Sequence, residues 1–456
     1  MKASVLLLSR AKNQTRKTKP MKSIHDDTIN TTEAEGDFAA LIGLDWGSEE
    51  HALCLYDPST GERETSTLVH TPEAIARWAA ALAERFPGRQ IALCLEQAKG
   101  ALISALMAYP FLVLYPVNPA TAARYRQAFK TSRAKSDPSD AQVCLELLLQ
   151  HRAKLTPWLP DDPLTRELGR LLEHRRGTVD LRTLLTNMLR NALKSYYPQA
   201  LELAGQDLFA PLAGRFLLKW PSLQELQKAR KETIRKFYYA HNSRRLDVIN
   251  QRLEAIAQMT PLSHDPALVE PAKVQVAMLA RQLLQLSVAL KEYDARIAQL
   301  FVLQADAFIW ESFPGAGPTL APRLCCAFGS ARSRYQNAAA IQQYSGIAPV
   351  TERSGKNQHW VHRRWSRPHF VHQSFFEYAS QSVLHCAWAK LFLQAQIAKG
   401  KKHSTAVRAL AFKWQRIMFV CWRDQVAYDE TTYLNSLKRR GSPLAHKLKL
   451  TLAKAA

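Results

Sequence analysis

Phe38–Glu50 reads FAALIGLDWGSEE. An apolar run, Ala39 to Leu44, ends in one carboxylate, Asp45, and is followed by Trp46, Gly47 and Ser48. A short apolar run bounded by glycine reads as a buried strand. An ionised carboxylate ending such a strand is costly unless something pairs with it, and a divalent metal is such a partner. Taken alone, Asp45 reads more simply as a strand-end acid facing solvent. What decides between the two is the company it keeps along the chain.

Working outward, residues 38–155 alternate in a readable order. Strands are expected at Phe38–Leu44, His51–Asp57 and Glu62–Val69, with Asp57-Pro58 and Gly61 as turn signals between the last two. Pro72–Arg85 has the spacing of an amphipathic helix, and Gln90–Leu95 that of a fourth strand ending at Glu96. A helix at Ala101–Tyr109, a strand at Phe111–Val117 and helices at Pro119–Phe129 and Pro138–His151 complete the series. Three strands joined by short turns, then strands separated by helices, give a mixed sheet with helices packed on it. That is the ribonuclease H order.

Four carboxylates fall where a two-metal site needs them. Asp45 ends the first strand and Glu96 the fourth, in Leu93-Cys94-Leu95-Glu96. Asp137 and Asp140 open the last helix, in Lys135-Ser136-Asp137-Pro138-Ser139-Asp140-Ala141, and their spacing puts both on one helix face. Hard oxygen ligands with open positions are what Mg²⁺ needs to grip a phosphate. The last pair has a plainer reading: Asp137 as N-cap, Pro138 at the first helical position and Asp140 near the start are good capping chemistry. The two roles are compatible, because a cap does not use every carboxylate oxygen.

Residues 1–37 read as a disordered basic arm: Lys2, Arg10, Lys12, Arg16, Lys17, Lys19 and Lys22 precede any acid. Residues 156–310 read as a helical and coiled-coil region. Val276, Leu283, Leu290 and Ile297 recur every seven residues, as do Leu279, Leu286, Tyr293 and Leu300. This is the pattern of a coiled coil, or of a long helix buried against its own domain. Residues 311–430 form a second α-rich unit, opened by Pro314-Gly315-Ala316-Gly317-Pro318. Such a turn lets backbone N–H groups approach phosphate, and it also occurs as a plain helix–helix turn. A helix through Cys326 follows, and two long helices, Pro368–Gln396 and Ser404–Gln425, close the unit. Residues 431–456 are a basic tail.

The net charge of +23 over 456 residues favours a polyanionic partner, nucleic acid before membrane lipid. No apolar run approaches the ~20 residues of a membrane span, and Val5–Leu8 is too short for a signal peptide core, so a cytoplasmic protein is expected. The seven cysteines include no Cys-x-x-Cys pair and sit mostly in apolar runs. They read as reduced, buried thiols.

A second constellation is Thr351-Glu352-Arg353-Ser354-Gly355-Lys356, followed by His359, Trp360, His362, Arg363, Arg364, Trp365 and Arg367. A serine hydroxyl beside glycine could attack a DNA phosphate, with cations offsetting the developing charge. Arg353, Lys356, Trp360, Arg363, Arg364 and Arg367 fit nucleic-acid contact by charge and stacking. The plainer reading is a solvated loop with a turn serine. Ser345 and Ser366 are rival serines nearby.

Seven stretches, in order over residues 40–430, resemble bacterial insertion-sequence transposases of the DEDD type, with a RuvC-like N-terminal domain and a C-terminal serine domain. They are GLDWG at Gly43–Gly47, LCLEQAKG at Leu93–Gly100, YPVNP at Tyr115–Pro119, KSDPSDA at Lys135–Ala141, FPGAGP at Phe313–Pro318, YSGIAPVTERSG at Tyr344–Gly355 and AVRALAFKWQRI at Ala406–Ile417. The resemblance implies a RuvC-like catalytic domain at 38–155 and a serine transposase domain at 311–430. It implies that Asp45, Glu96, Asp137 and Asp140 bind Mg²⁺ and that Ser354 is a nucleophile forming a transient covalent link to DNA. It further implies donor and target DNA as partners, a structured bridge RNA as guide, and homodimers or homotetramers in which Val276–Leu300 supports the contact.

The sequence departs from the commoner pattern of that family in two places. The middle helical region is long. After Ser354, the frequent Gly-x-x-x-Leu-Arg helix start is replaced by Trp365-Ser366-Arg367-Pro368-His369-Phe370. Ser345 stands where other members often have alanine. Two other readings compete: a RuvC-like, metal-dependent nuclease that resolves branched DNA by water attack, and a nucleic-acid-binding scaffold whose acids are structural.

Overall fold

The computed structural model describes residues 38–96, 100–129, 137–354 and 358–446. The basic arm at 1–37, residues 447–456 of the basic tail, and Lys356 lie outside the described residues. So do the side chains of Asp137 and Ser354. The chain divides into two compact units, residues 1–158 and 159–456.

In the first unit a five-stranded sheet has the order β3-β2-β1-β4-β5. Its strands are β1 (Ala40–Asp45), β2 (Glu50–Tyr56), β3 (Arg63–Val69), β4 (Ile91–Leu95) and β5 (Leu112–Pro116). β1–β2 and β2–β3 pair antiparallel, β1–β4 and β4–β5 parallel. This is the mixed sheet expected of a ribonuclease H-like domain. β1 and β4 lie at its centre and are apolar at nearly every position, because both of their faces are covered.

The helices of this unit are α1 (Pro72–Arg85), α2 (Ala101–Leu106), α3 (Pro119–Phe129) and α4 (Asp137–His151). On one face Ile75 and Leu82 of α1 and Leu102 and Leu106 of α2 pack against Ala40, Ile42, Leu44, Leu93 and Leu95. On the other, Ala141, Cys144, Leu145 and Leu148 of α4 pack against Leu41, Cys54, Ala92 and Cys94. Gly43 is what lets α4 come so close. A Cβ there would lie 2.0 Å from the Ala141 carbonyl oxygen and 2.4 Å from the Leu145 nitrogen.

Among the described residues, the second unit is helical apart from one hairpin. Its first helices are α5 (Pro163–Tyr196), α6 (Ala200–Leu203), α7 (Pro211–Lys219), α8 (Leu223–Gln227), α9 (Lys231–Ala240), α10 (Leu246–Gln258) and α11 (Pro266–Val302). There follow α12 (Ala307–Glu311), α13 (Gly317–Phe328), α14 (Ala338–Tyr344), α15 (His369–Ser382), α16 (Ala387–Ile397), α17 (His403–Asp424) and α18 (Glu430–Arg439). The hairpin is β6 (Val350–Ser354) and β7 (Gln358–His362).

α5 and α11 start with the same device. Asp162 and Asp265 cap first-turn N–H groups, and a proline occupies the first helical position. The two helices run antiparallel, tied by Arg175–Asp294 (2.5 Å) and Arg296–Glu167 (2.8 Å). One half of the pair closes a core with α6–α10, the other a core with the C-terminal helices. The heptad residues Val276, Leu279 and Leu283 are buried beside Leu185, Leu189 and Leu193 of α5. Ile297 and Leu300 are buried beside Leu168 and Leu172. The expectation that Val276–Leu300 presents its seam to another subunit is therefore corrected: this seam is filled by α5 of the same chain.

The segment expected as one helix over Pro368–Gln396 is two. α15 stops at Ser382, and α16 restarts after Cys386, whose backbone is extended. The break turns Trp388 into the core, 4.5 Å from Trp414 between ring centroids. Among the described residues, no helix is long and apolar enough to cross a membrane.

Candidate active site

The parallel register of β1 and β4 sets Gly43 beside Cys94 and Leu44 beside Leu95. Carried one residue further, it sets Asp45 beside Glu96, at the carboxyl ends of the two central strands. Strand alternation puts Asp45 on the face of Gly43 and Glu96 on the face of Cys94, which is the face α4 covers. Two carboxylates are thereby brought to one edge of the sheet, beneath the start of α4.

Cys144 marks the same place from the helix side. Its hydrogen bond to Cys94, its burial, and the negative charges of Glu96 and Asp45 hold its thiol well above the usual pKa. Asp140 lies one turn before Cys144 on α4, hence on the same helix face. Asp140 is only 2% exposed. It forms a short ion pair with Arg126 of α3, which offsets the cost of burying its charge. Asp137 is the first residue of α4.

Among the described residues, no group of three or more His, Cys, Asp or Glu side chains is arranged to hold a metal ion. The donor chemistry nevertheless suits a hard divalent cation. Asp45 and Glu96 are carboxylates in adjacent register, and at Asp140 a guanidinium already stands where positive charge is needed.

The turn between β1 and β2 is fixed by groups that sequence reasoning missed. The Gly47 N–H donates to His51 Nδ1 at 3.2 Å, and His51 Nε2 lies 3.0 Å from His70 Nδ1. His51 is fully buried. Gly47 itself is required, since a Cβ there would sit 2.1 Å from the Glu50 carbonyl oxygen. A histidine in an alternating apolar strand carries no signal by itself. Arg126 was equally silent, being one of the two arginines on α3.

The second constellation is a two-stranded hairpin, not the solvated loop its composition suggests. Thr351 pairs with Val361, Glu352 with Trp360 and Arg353 with His359, while Ser354 pairs with Gln358 at the last rung. β-Formers on both sides of Ser354-Gly355 were the available signal. Arg353, Trp360 and Arg363 are exposed, and the Arg363 guanidinium lies 5.2 Å from the centroid of the Trp365 ring. Arg364 and Arg367 are half-buried, and Arg367 donates to the Arg364 carbonyl.

Behind the hairpin, His372 donates from Nδ1 to the Ser345 carbonyl at 3.0 Å. Burial and the charges of Arg367, Arg408 and Arg363 lower its pKa to about 4. Arg408, on α17, was missed because it sits in an apolar helical run; burial, Arg363 and Arg367 hold its own pKa below the usual value. Of the rival serines, Ser345 is fully buried, and its hydroxyl accepts from Gln415 Nε2 at 2.7 Å. It is a core residue, whereas Ser366 is exposed.

A mixed α/β domain with acids at the ends of its central strands, followed by a helical unit whose hairpin leads into Arg363, Arg364, Trp365 and Arg367, fits a DNA transposase. Sequence comparison gives the same class. Residues 42–198 match a family described as "Transposase", of the DEDD IS110 type, and residues 309–394 match the "Transposase IS116/IS110/IS902 family". The two matches together span more than half of the chain, which belongs to the IS110/IS116 transposases. Similar proteins cover nearly its whole length. One from Streptomyces coelicolor, named as a transposase of the IS117 mini-circle, is 27% identical over 87% of this chain and 97% of its own. The IS116 protein of Streptomyces clavuligerus is 25% identical over 84% and 94%. The IS900 protein of Mycobacterium paratuberculosis is 23% identical over 86% and 97%.

Proposed function

We propose that this transposase cuts and rejoins insertion-sequence and target DNA with Mg²⁺ held by Asp45, Glu96, Asp137 and Asp140 and with Ser354 as nucleophile. The observation that carries the reading is the register of β1 and β4, which sets Asp45 beside Glu96 under the helix that bears Asp137 and Asp140. When bound, the metal supplies Lewis-acid stabilisation of charge on the phosphate oxygens. The Ser354 hydroxyl gives up its proton and forms a new P–O bond as one P–O bond of the DNA strand breaks, with the departing oxygen taking a proton. The reverse exchange by a DNA hydroxyl releases the serine and rejoins the strand. Arg353, Arg363, Arg364, Arg367 and Lys356 offset charge on the bound strand, and Trp360 and Trp365 offer faces for stacking.

A guide RNA fits a chain with a net charge of +23. Assembly into dimers or tetramers is supported by Leu181, Leu184 and Met188, an exposed apolar row on the outer side of α5.

The test pairs two serines. Ser354→Ala is expected to abolish a protein–DNA adduct on denaturing gels without lowering stability. Ser345→Ala is expected to cost about 1–3 kcal/mol, because Gln415 loses its buried partner, while the adduct still forms. Strand cleavage by the wild type with no adduct under any condition would replace the serine step with water attack. Sequencing RNA that copurifies with the protein tests the guide: a discrete structured species supports it, and none removes it.

A further inference from the structure

The turn that follows Asp45 is held from two strands by two histidines. Asp45 is the last residue of β1 and pairs with Ala52 of β2. Beyond it the chain turns through residues 46–49. From β2, His51 Nδ1 accepts the Gly47 N–H at 3.2 Å. From the residue after β3, the His70 backbone N–H donates to the Glu49 carbonyl at 2.7 Å. The rings join the two tethers, with His51 Nε2 3.0 Å from His70 Nδ1.

This chain of hydrogen bonds has one solution for its protons. The Gly47 N–H can only donate, so His51 Nδ1 carries no proton. The His51 proton then sits on Nε2 and donates to His70 Nδ1, which is also bare, and the His70 proton is on its own Nε2. Both rings are neutral in this arrangement. A further proton has two places to go, Nδ1 of His51 or Nδ1 of His70, and each already faces a donor. Protonation therefore breaks either the tether to Gly47 or the link between the rings. His51 is fully buried, and that burial, followed by the charge of His70, sets its pKa below the ordinary value. The pair lies on the sheet face that α1 and α2 cover, since His51 is in register with Leu68 of that core. α2 carries no ionisable group, and β3 brings none at this end. The charged residues on the elements around the pair are Asp45, Glu49, Glu50, and Glu73 and Arg77 of α1, and the last four are exposed.

We propose that His51, backed by His70, is a positioning residue for Asp45: by holding the Gly47 N–H it fixes the end of β1 for metal binding, and it does so only while both rings are neutral. The proposal rests on the reading of Asp45 as a Mg²⁺ ligand. It makes Mg²⁺ affinity full above about pH 6.5, the ordinary histidine value, and lost on the way down to the carboxylate range near 4.

Mg²⁺ affinity of the full chain is read from the rise of its unfolding temperature with MgCl₂, at pH about 7.5 and about 5.5, on either side of the histidine value. The wild type is expected to bind about tenfold more weakly at the lower pH, the scale on which loss of a ligand's outer partner weakens a metal site. His51→Asn places an amide oxygen where Nδ1 stood, keeps the Gly47 tether and does not titrate. It should bind within about twofold of wild type at the higher pH and hold that affinity at the lower one. His51→Leu suits the apolar surroundings but loses the tether, and should bind about tenfold more weakly at both. A packing role alone predicts the opposite order, with Leu harmless and Asn harmful.

A second readout needs no variant to fold. NMR of the histidine ring nitrogens in the wild type at neutral pH is expected to show His51 neutral with its proton on Nε2, and a proton on Nδ1 overturns the inference. So does a Mg²⁺ affinity that His51→Leu leaves unchanged at both pH values while Asp45→Ala loses it; the metal reading of Asp45 survives that result. Asp45→Ala with wild-type affinity would sink the metal reading and this inference together.

Discussion

Arg126 holds Asp140 in a buried ion pair at the start of α4, one turn before the thiol that faces Asp45 and Glu96. Removing the arginine leaves a buried carboxylate short of its cation. Arg126→Met is expected to lower stability by about 3 kcal/mol in EDTA. Mg²⁺ should return part of that loss, because the metal would then stand where the guanidinium stood. Thermal unfolding with and without MgCl₂ measures both. A variant whose stability ignores Mg²⁺ would detach Asp140 from the metal.

Gly43 is where helix and sheet touch, and the two nearest atoms a side chain would strike are backbone. Gly43→Ala should therefore cost about 3 kcal/mol, since neither α4 nor β1 can yield a side chain to make room. It should also separate Asp140 from Asp45, so strand cleavage should fall further than stability alone explains. Urea unfolding and cleavage at a temperature where the variant is fully folded give the two numbers.

His372 gives a pH signature. Its folded pKa, about 4, lies below the ordinary histidine value near 6.5. As pH falls through that window the unfolded chain takes up a proton first, so stability is intact above about 6.5 and is lost towards 4. The loss is expected to reach at most about 3 kcal/mol. His372→Asn, which keeps a donor for the Ser345 carbonyl, should flatten this part of the profile.

Leu283 fills the seam between α11 and α5. Leu283→Ala should cost about 3 kcal/mol of unfolding free energy as a cavity in the chain's own core. Light scattering of the folded variant should give an unchanged mass. Unchanged stability with a lost oligomer would move the seam to a contact between subunits.

The N-terminal domain was legible because its signals are local. Pro72–Arg85 and Pro119–Phe129 have the bounds that their periodicity and prolines give, and the strands shift by only a residue or two. The register that sets Asp45 beside Glu96 follows from two apolar runs that each end in an acid. Long-range facts were not legible. The heptads of Val276–Leu300 specify a seam but not whose helix fills it, and α5 (Pro163–Tyr196) lies far upstream in the chain, beyond five intervening helices. No proline or glycine marks the break after Ser382, which is set by Trp388 packing on Trp414. Arg126 and Arg408 were hidden because a basic residue acquires meaning only from the charges that folding places beside it.

The most direct measurement is the anomalous scattering of Mn²⁺, substituted for Mg²⁺, in crystals of the protein with DNA. The account predicts a peak within about 2.0–2.4 Å of carboxylate oxygens from Asp45 and Glu96, with Asp140 or Asp137 completing the set. Peaks bound elsewhere in a crystal that still cleaves its DNA, with Asp45 and Glu96 bare, would contradict it.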